Sequence, residues 1–225
     1  MKDIDYRRHY ILVFDTETAN GLDDPLFYDF GCAVIDTKGN VYETRSFVNG
    51  EIFFKERDLM RSAYYANKIP KYWTDILEGK RIATSLYRIK SEVAALMEKY
   101  HITEVCAHNC FFDYKATNGT QRYLTKSKYR YFFPHGTVYW DSLKMARSVI
   151  AKMPTYQAYC DRYGYRTAQG QVRLTAEILY RFITGQEEFS ESHTGLEDVL
   201  IEKEIIAYCF KQHKKMQKEL FNRKT

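Results

Sequence analysis

The feature that most constrains the fold is a continuous apolar run that ends in an acidic motif. The run is Tyr10-Ile11-Leu12-Val13-Phe14, and Asp15-Thr16-Glu17-Thr18 follows it directly. A strand that is apolar at every position, rather than at alternate positions, is typical of a sheet that is covered on both faces. The sequence therefore predicts a buried strand that carries two carboxylates to its end.

Two further apolar runs follow the first one, at 30–35 and 41–48. Asn20-Gly21 and Asp24-Pro25 lie in the first connection, and Thr37-Lys38-Gly39-Asn40 forms the second; all are turn formers. This spacing predicts an antiparallel meander of three strands.

The rest of the chain alternates short apolar runs with apolar positions at helical spacing. We expect strands over 104–107 and 137–140. We expect helices over 84–100, 111–124, 141–150, 155–163, 174–183 and 196 to about 217. A meander followed by this alternation predicts an α/β domain with a mixed central sheet, part antiparallel and part parallel, flanked by helices.

The length and composition fit one large domain. The chain has 225 residues, of which 45% are hydrophobic, and this is enough to fill one core. We expect a single domain over 1–225, with its core at about 9–210 and a basic helix end or tail over 211–225. The stretches 126–134 and 185–192 are predicted to be loops. The net charge of +5 favours a polyanionic partner, although an ordinary, slightly basic surface explains it equally well.

Cysteine usage and hydropathy bear on the compartment. The five cysteines stand at irregular spacings, and the N-terminal residues do not match a secretory leader. Apolar segments are far shorter than the ~20 residues that span a bilayer. The sequence therefore predicts reduced thiols, no membrane association and a soluble, cytoplasmic protein.

Asp15 and Glu17 stand two residues apart on the predicted strand, so their side chains project from the same face. Carboxylates this close repel each other unless one is protonated or a cation lies between them. Oxygen ligands favour hard divalent ions such as Mg²⁺ or Mn²⁺. A solvated turn after a strand is the alternative interpretation.

A second polar motif, His108-Asn109-Cys110-Phe111-Phe112-Asp113, begins where the strand 104–107 ends. Asn109 is a candidate helix N-cap, which would place Asp113 in the first turn, able to face the same edge as Asp15. His108 is expected to be structural rather than a metal ligand, because no matching ligand set accompanies it.

The third motif lies at the start of the last helix. Thr194 and Glu197 match a capping box, with Thr194 as the N-cap. His193 and Asp198 then occupy the two positions that normally form a hydrophobic staple. Because an imidazole and a carboxylate give up that apolar contact, we interpret them as a metal-binding and proton-transfer pair. An unremarkable histidine and aspartate at a surface helix start is the alternative.

Two other sets of polar residues are expected to be structural and not to bind metal. Asp141 stands at a strand end, but it is predicted to cap the helix that follows. Cys106, His108 and Cys110, with His101 nearby, lack the paired spacing of zinc sites, so zinc is disfavoured.

Together, the three motifs resemble the DEDDh exonucleases, relatives of the proofreading subunit of bacterial DNA polymerase III with a ribonuclease H-like fold. The similarity covers roughly 9–210, and the four residues between His193 and Asp198 distinguish this subclass from the tyrosine one. The chain departs from the family pattern at Ala19-Asn20-Gly21-Leu22, and at Asp29, where glutamate is commoner.

The resemblance implies two Mg²⁺ or Mn²⁺ ions as cofactors. Asp15 would bridge them, Glu17 and Asp198 would hold the first, and Asp113 would hold the second through water. His193 would be the general base. The implied contacts to the terminal nucleotide are Thr16, Thr18, Leu22 and Asn109.

The implied activity is 3′-to-5′ exonucleolysis that releases nucleoside 5′-monophosphates from DNA, in proofreading or repair. The implied partner is a single-stranded 3′ end, with DNA favoured over RNA, and a DNA polymerase or a homodimer partner are further options. RNA trimming is the nearest rival, because recognition of the 2′-hydroxyl is not visible in a sequence. A non-catalytic nucleic-acid-binding or polymerase-associated module is the third interpretation.

Overall fold

Strand β1 (Tyr10–Ala19) lies inside a six-stranded mixed sheet of order β4-β3-β2-β1-β5-β6. The structure is a computed structural model that describes residues 4–126, 128 and 130–221. The other strands are β2 (Leu26–Asp36), β3 (Val41–Asn49), β4 (Ile82–Thr84), β5 (Glu104–Ala107) and β6 (Val138–Asp141). The helices are α1 (Gly50–Phe53), α2 (Arg57–Arg61), α3 (Ile69–Leu77), α4 (Leu86–Lys99), α5 (Phe111–Thr125), α6 (Ser142–Val149), α7 (Pro154–Tyr163), α8 (Ala176–Thr184) and α9 (Gly195–Lys211).

The predicted mixed sheet is confirmed. Strands β1, β2 and β3 form an antiparallel meander, whereas β5 pairs parallel with β1 and β6 pairs parallel with β5. The helices α4 to α8 lie within two residues of their predicted bounds. The parallel edge strand β4 and the helices α1 to α3 were not predicted, because 50–83 carries no long periodic pattern.

Side chains of β1 alternate between two cores. Leu12 and Phe14 join one apolar cluster, in which α4 and α5 cover the sheet, while Ile11 and Val13 join another, formed with α6 to α9. All four are fully buried. Because both faces are covered, the run is apolar at every position, and its carboxyl end is fixed from both sides.

The prediction that the last helix reaches about residue 217 is wrong. Helix α9 ends at Lys211, and His213 adopts a left-handed conformation with φ +52°, which stops the helix. The chain then runs along β6, where the Leu220 N–H donates to the Tyr139 carbonyl at 2.8 Å. The segment therefore covers a sheet edge instead of forming a solvated helix end. Arg223 and Lys224 of the predicted basic tail lie outside the described residues.

All five cysteines are buried and none forms a disulfide. Within the described ranges, no helix combines the length and apolarity needed to cross a membrane.

Candidate active site

Three carboxylates meet at the end of β1. Asp15 and Glu17 come from this strand and Asp198 from α9, and one ligand oxygen of each lies within 4.8 Å of the others. Glu17 and Asp198 are 8% and 6% exposed. We call Asp15, Glu17 and Asp198 the carboxylate triad. The predicted grouping of the first and third motifs is therefore present in the folded chain.

Two glycines allow α9 to approach the sheet closely enough to form the triad. A Cβ atom on Gly31 of β2 would lie 2.1 Å from the Leu196 backbone nitrogen, and one on Gly195 would lie 2.7 Å from the Gly31 nitrogen. Real Cβ atoms do not come this close to backbone atoms. The contact between Gly31 and Gly195 therefore sets the distance between Asp198 and the end of β1.

The start of α9 is anchored by a neighbouring strand and not by the predicted capping box. Asp29 of β2 accepts hydrogen bonds from the Gly195 N–H at 2.8 Å and from the Tyr72 hydroxyl at 2.6 Å. Thr194 is the N-cap residue, as predicted, but its hydroxyl contacts the Ser192 hydroxyl and makes no capping bond. The capping box does not form because the Thr194 hydroxyl is engaged by Ser192, while Asp29 satisfies a different N–H of the first turn, that of Gly195.

Glu197, the other half of the expected capping box, pairs instead with Arg81 at 2.8 Å. Arg81 is 2% exposed and also pairs with Asp29 and Asp75, each at 3.0 Å. This ion network connects the end of α3 and the start of β4 to the first turn of α9.

The triad is strongly unfavourable as three anions. Burial, followed by repulsion from Asp198, raises the pKa of Glu17 to about 9, and burial raises the pKa of Asp198 to about 8. The pKa of Asp15 is also raised well above its ordinary value, first by burial and then by neighbouring carboxylates. The buried Oδ1 of Asp198 has no hydrogen-bond partner within the described chain. A hard divalent cation would supply the missing partner, so the donor set fits such an ion.

Asp113 lies in the first turn of α5, as predicted, but outside the triad. Its Oδ1 accepts hydrogen bonds from the Thr16 N–H at 3.0 Å and from the Thr16 hydroxyl at 2.7 Å. Burial raises the pKa of Asp113 to about 7, although these hydrogen bonds lower it. Its role as a metal ligand therefore stays a prediction.

Asn109 is not the N-cap of α5. That position belongs to Cys110, while Asn109 has a left-handed φ of +61°. The prediction fails because this backbone is not the extended conformation of an N-cap residue, and the Asn109 N–H donates to the side chain of Asp141 at 3.1 Å. Asp141 also accepts from the Leu143 N–H at 2.9 Å, so it caps α6 as predicted.

His108 has a structural environment. Its ring nitrogens lie 2.8 Å from the Ser142 hydroxyl and 2.8 Å from the Leu174 carbonyl. Both nitrogens are therefore occupied. Among the described residues, neither His108 nor a cysteine belongs to a cluster that could hold a metal.

His193 lies in the loop before α9 and is held on two sides. Its ring stacks on Tyr65 with centroids 4.6 Å apart and an angle of 14°, and its side chain is 38% exposed. The Lys68 ammonium donates to the Ser192 carbonyl and, at 3.4 Å, to the His193 carbonyl. Burial and then Lys68 lower the pKa of His193, so the neutral ring is favoured at neutral pH.

A cavity of about 670 Å³ contains the triad and His193. Of the four predicted nucleotide contacts, Thr16 and Asn109 line this cavity. Thr18 does not line it, and Leu22 is 78% exposed with its carbonyl bound by Lys115.

Several further residues that line the cavity are not indicated by the sequence motifs. Among them are Tyr65, Arg173, Glu191 and Glu202. Glu202 follows Asp198 by four residues, and this same-face helical spacing was a usable signal. Tyr65 and Arg173 reach the cavity only through tertiary packing, so no local pattern marks them.

No family model and no curated protein matches the sequence. The fold is nevertheless similar to solved structures of exonuclease I. A moderately thermophilic exonuclease I from Methylocaldum szegediense matches with a TM-score of 0.53 and 14% identity, over 92% of this chain and 41% of that one. E. coli exonuclease I in complex with a dT13 oligonucleotide matches with a TM-score of 0.51 and 15% identity, over 89% of this chain and 41% of that one.

This chain spans about two fifths of the length of those exonuclease I structures. At 14–15% identity the likeness establishes the fold alone. The fold is ribonuclease H-like, as the motifs predicted.

Proposed function

We propose that the chain is a metal-dependent 3′-to-5′ exonuclease that releases nucleoside 5′-monophosphates from single-stranded DNA. The observation that carries this proposal is the carboxylate triad of Asp15, Glu17 and Asp198, of which Glu17 and Asp198 are buried and which shares one cavity with His193. Three anions in a buried site need a cation, and a nearby neutral imidazole can accept a proton. The fold that this chain has in common with exonuclease I supports the same chemistry.

The triad would hold a divalent cation directly, and Mg²⁺ and Mn²⁺ suit an all-oxygen ligand set. Asp15 would also contact a second ion, with Asp113 acting through water. Divalent cations bound there would stabilise the developing charge on the attacking and leaving oxygens of an in-line displacement. Thr16 would keep Asp113 oriented through its two hydrogen bonds.

His193 would act as the general base. It would take a proton from the water molecule whose oxygen attacks the terminal phosphorus, while the bond from phosphorus to the 3′-oxygen breaks. Solvent would protonate that 3′-oxygen, which leaves a free 3′-hydroxyl on the shortened strand. The lowered pKa of His193 keeps the ring unprotonated near neutral pH, as a base requires.

Two exposed arginines of the cavity would bind the phosphates of the strand. Arg147 of α6 and Arg173, in the loop before α8, both line the cavity. Arginine at such positions fixes a nucleic acid strand through its backbone without reading sequence. DNA is preferred here because solved structures of similar fold hold a dT13 or a dA16 oligonucleotide. Proofreading, repair, a polymerase partner and a homodimer stay predictions from the sequence.

Purified protein incubated with labelled oligonucleotides tests the proposal. Single-stranded DNA labelled at its 5′ end should shorten one nucleotide at a time in Mn²⁺ or Mg²⁺, faster than duplex DNA or RNA of the same sequence. A 3′ label should be released at once as a mononucleotide. A chelator should stop both reactions, as should the substitution Asp15→Asn. Cleavage that persists in the chelator, or internal cuts without end trimming, would refute the proposal.

A further inference from the structure

Two carboxylates that line the cavity, Glu191 and Glu202, have no role in the site described above, and Glu202 is the more deeply buried of the two. Glu202 lies on α9 one turn after Asp198 and is 3% exposed. It lines the cavity that contains the triad, and its Oε2 has no hydrogen-bond partner within the described chain. A buried, unpaired acceptor is destabilising, and more so when it is charged. A carboxylate kept in this position therefore needs a compensating ligand.

Glu202 is not part of the triad, although it acts on Asp15. Its carboxylate accepts a hydrogen bond from the His108 backbone, and Asp113 is the acidic group that repels it most. Asp15 is itself repelled more strongly by Asp113 and Glu202 than by Glu17 and Asp198. Asp113 and Glu202 are therefore a second group of carboxylates that acts on Asp15, besides the rest of the triad.

This second group lacks a cationic partner. Lys68 offsets the repulsion at Glu17 and at Asp198. In the described part of the chain, no ammonium or guanidinium is among the main groups acting on Asp113 or Glu202. Buried carboxylates without a counter-charge favour a cation beside them.

We propose that Glu202 is a fifth carboxylate of the active site and that it binds the second divalent cation, the one beside Asp15. This inference rests on the proposed function. The resemblance to DEDDh exonucleases assigns four carboxylates, and Glu202 is not one of them. Its four-residue spacing from Asp198 allows one helix to serve both cation positions.

Counting the bound ions tests the inference without an activity measurement. Free Mn²⁺ is measured by electron paramagnetic resonance while the metal-free, full-length protein is titrated. The wild type should bind two ions. Glu202→Gln should retain one and bind the second at least tenfold more weakly. Asp198→Asn should instead weaken binding of the ion that the triad holds.

Glu204→Gln is the matched control, because Glu204 lies on the same helix and pairs with Lys203 away from the cavity. This variant should bind two ions like the wild type. Circular dichroism of metal-free Glu202→Gln checks that it folds. If it does not fold, Glu202→Asp is used instead, because it keeps the charge but has a shorter side chain. This variant should bind the second ion more weakly than the wild type does.

Equal Mn²⁺ stoichiometry and affinity in wild type and Glu202→Gln would overturn the inference, whether both bind two ions or one. Glu202 would then be a buried, protonated group with no part in cation binding. A wild type that binds no Mn²⁺ and leaves DNA intact would instead overturn the proposed function, so the two failures are distinguishable.

Discussion

His193 is positioned by contacts that do not involve the triad. Its ring rests on Tyr65, and Lys68 holds the carbonyls of the loop that carries it. The left-handed backbone at His193, with φ +49°, is unusual for a residue with a side chain. These contacts fix the orientation of the imidazole before any substrate arrives.

Removing this imidazole should therefore affect the reaction rate and not the cation site. We expect His193→Ala to lower kcat by about 10²–10⁴-fold, the usual contribution of a general base. Mn²⁺ affinity should stay within about twofold of the wild type. Steady-state kinetics and a parallel Mn²⁺ titration measure the two effects. A comparable loss of Mn²⁺ affinity would instead make His193 a ligand, and His213→Ala, outside the cavity, is the control.

The raised pKa values of the triad make cation binding depend on pH. Metal-free Glu17 and Asp198, with pKa values of about 9 and 8, are largely protonated at pH 7. A cation must displace those protons, so Mn²⁺ affinity should rise as pH increases from 6 to 9. Calorimetry in buffers of different ionisation enthalpy should record proton release at pH 7. Affinity that is independent of pH would contradict this prediction.

The same groups determine whether the free energy of unfolding rises or falls with pH. Between about pH 4.5 and 9 the folded, metal-free protein binds more protons at these positions than the unfolded chain does. Their contribution to the free energy of unfolding is therefore present at the acidic end and is lost as pH rises through the folded pKa values. Saturating Mn²⁺ should flatten this dependence, because the ion replaces the protons.

Among the structural elements, α9 matters most for the site, and its first turn is fixed by buried polar contacts. Asp29 holds the Gly195 N–H, and Arg81 connects Asp29 to Glu197. The correct arrangement of Asp198 therefore depends on residues that do not line the cavity.

Breaking this network should destabilise the protein and disturb the triad together. Arg81→Met leaves Asp29 and Asp75 without their buried cationic partner, and such losses cost roughly 3–5 kcal/mol. We expect a fall of this size in the free energy of unfolding, measured with urea, and weaker Mn²⁺ binding in the folded fraction. Lys80→Met, at the exposed neighbouring residue, should change neither. An Arg81 variant with wild-type stability would show that the network is dispensable.

The sequence predicts elements better than it predicts contacts. Strand β1, the meander and α4 to α8 follow from hydrophobic periodicity, which is a local property. The capping box at Thr194 and the N-cap at Asn109 fail because of contacts to distant residues: Glu197 pairs with Arg81, and Asn109 is held in a left-handed turn whose N–H donates to Asp141. The grouping of Asp15, Glu17 and Asp198 was predictable from motif order, whereas Tyr65 required the folded structure.

At the scale of the whole molecule, positive charge determines how strongly a nucleic acid strand would be attracted. The net charge of +5 and the arginines that line the cavity favour a polyanion over a neutral ligand. Binding of single-stranded DNA should therefore weaken as salt concentration rises, because phosphate contacts release counterions.

Replacing one arginine of the cavity should remove one such contact. Arg173→Ala should weaken binding of single-stranded DNA and reduce the slope of log K against log salt by about 0.7. Fluorescence anisotropy with a labelled oligonucleotide, in Ca²⁺ to prevent cleavage, measures that slope. Arg162→Ala, outside this cavity, should leave the slope unchanged. An unaltered slope in Arg173→Ala would show that Arg173 does not contact the DNA strand.

The close approach of Gly31 and Gly195 limits how this site can change. Neither glycine carries a functional group, yet an added methyl at either position would push α9 away from the sheet. Asp198 and Glu202 both lie on that helix, so a displacement of α9 would move both of them away from Asp15. A variant chain could therefore keep every chemically active side chain and still lose its cation affinity at a position where only a hydrogen atom is tolerated.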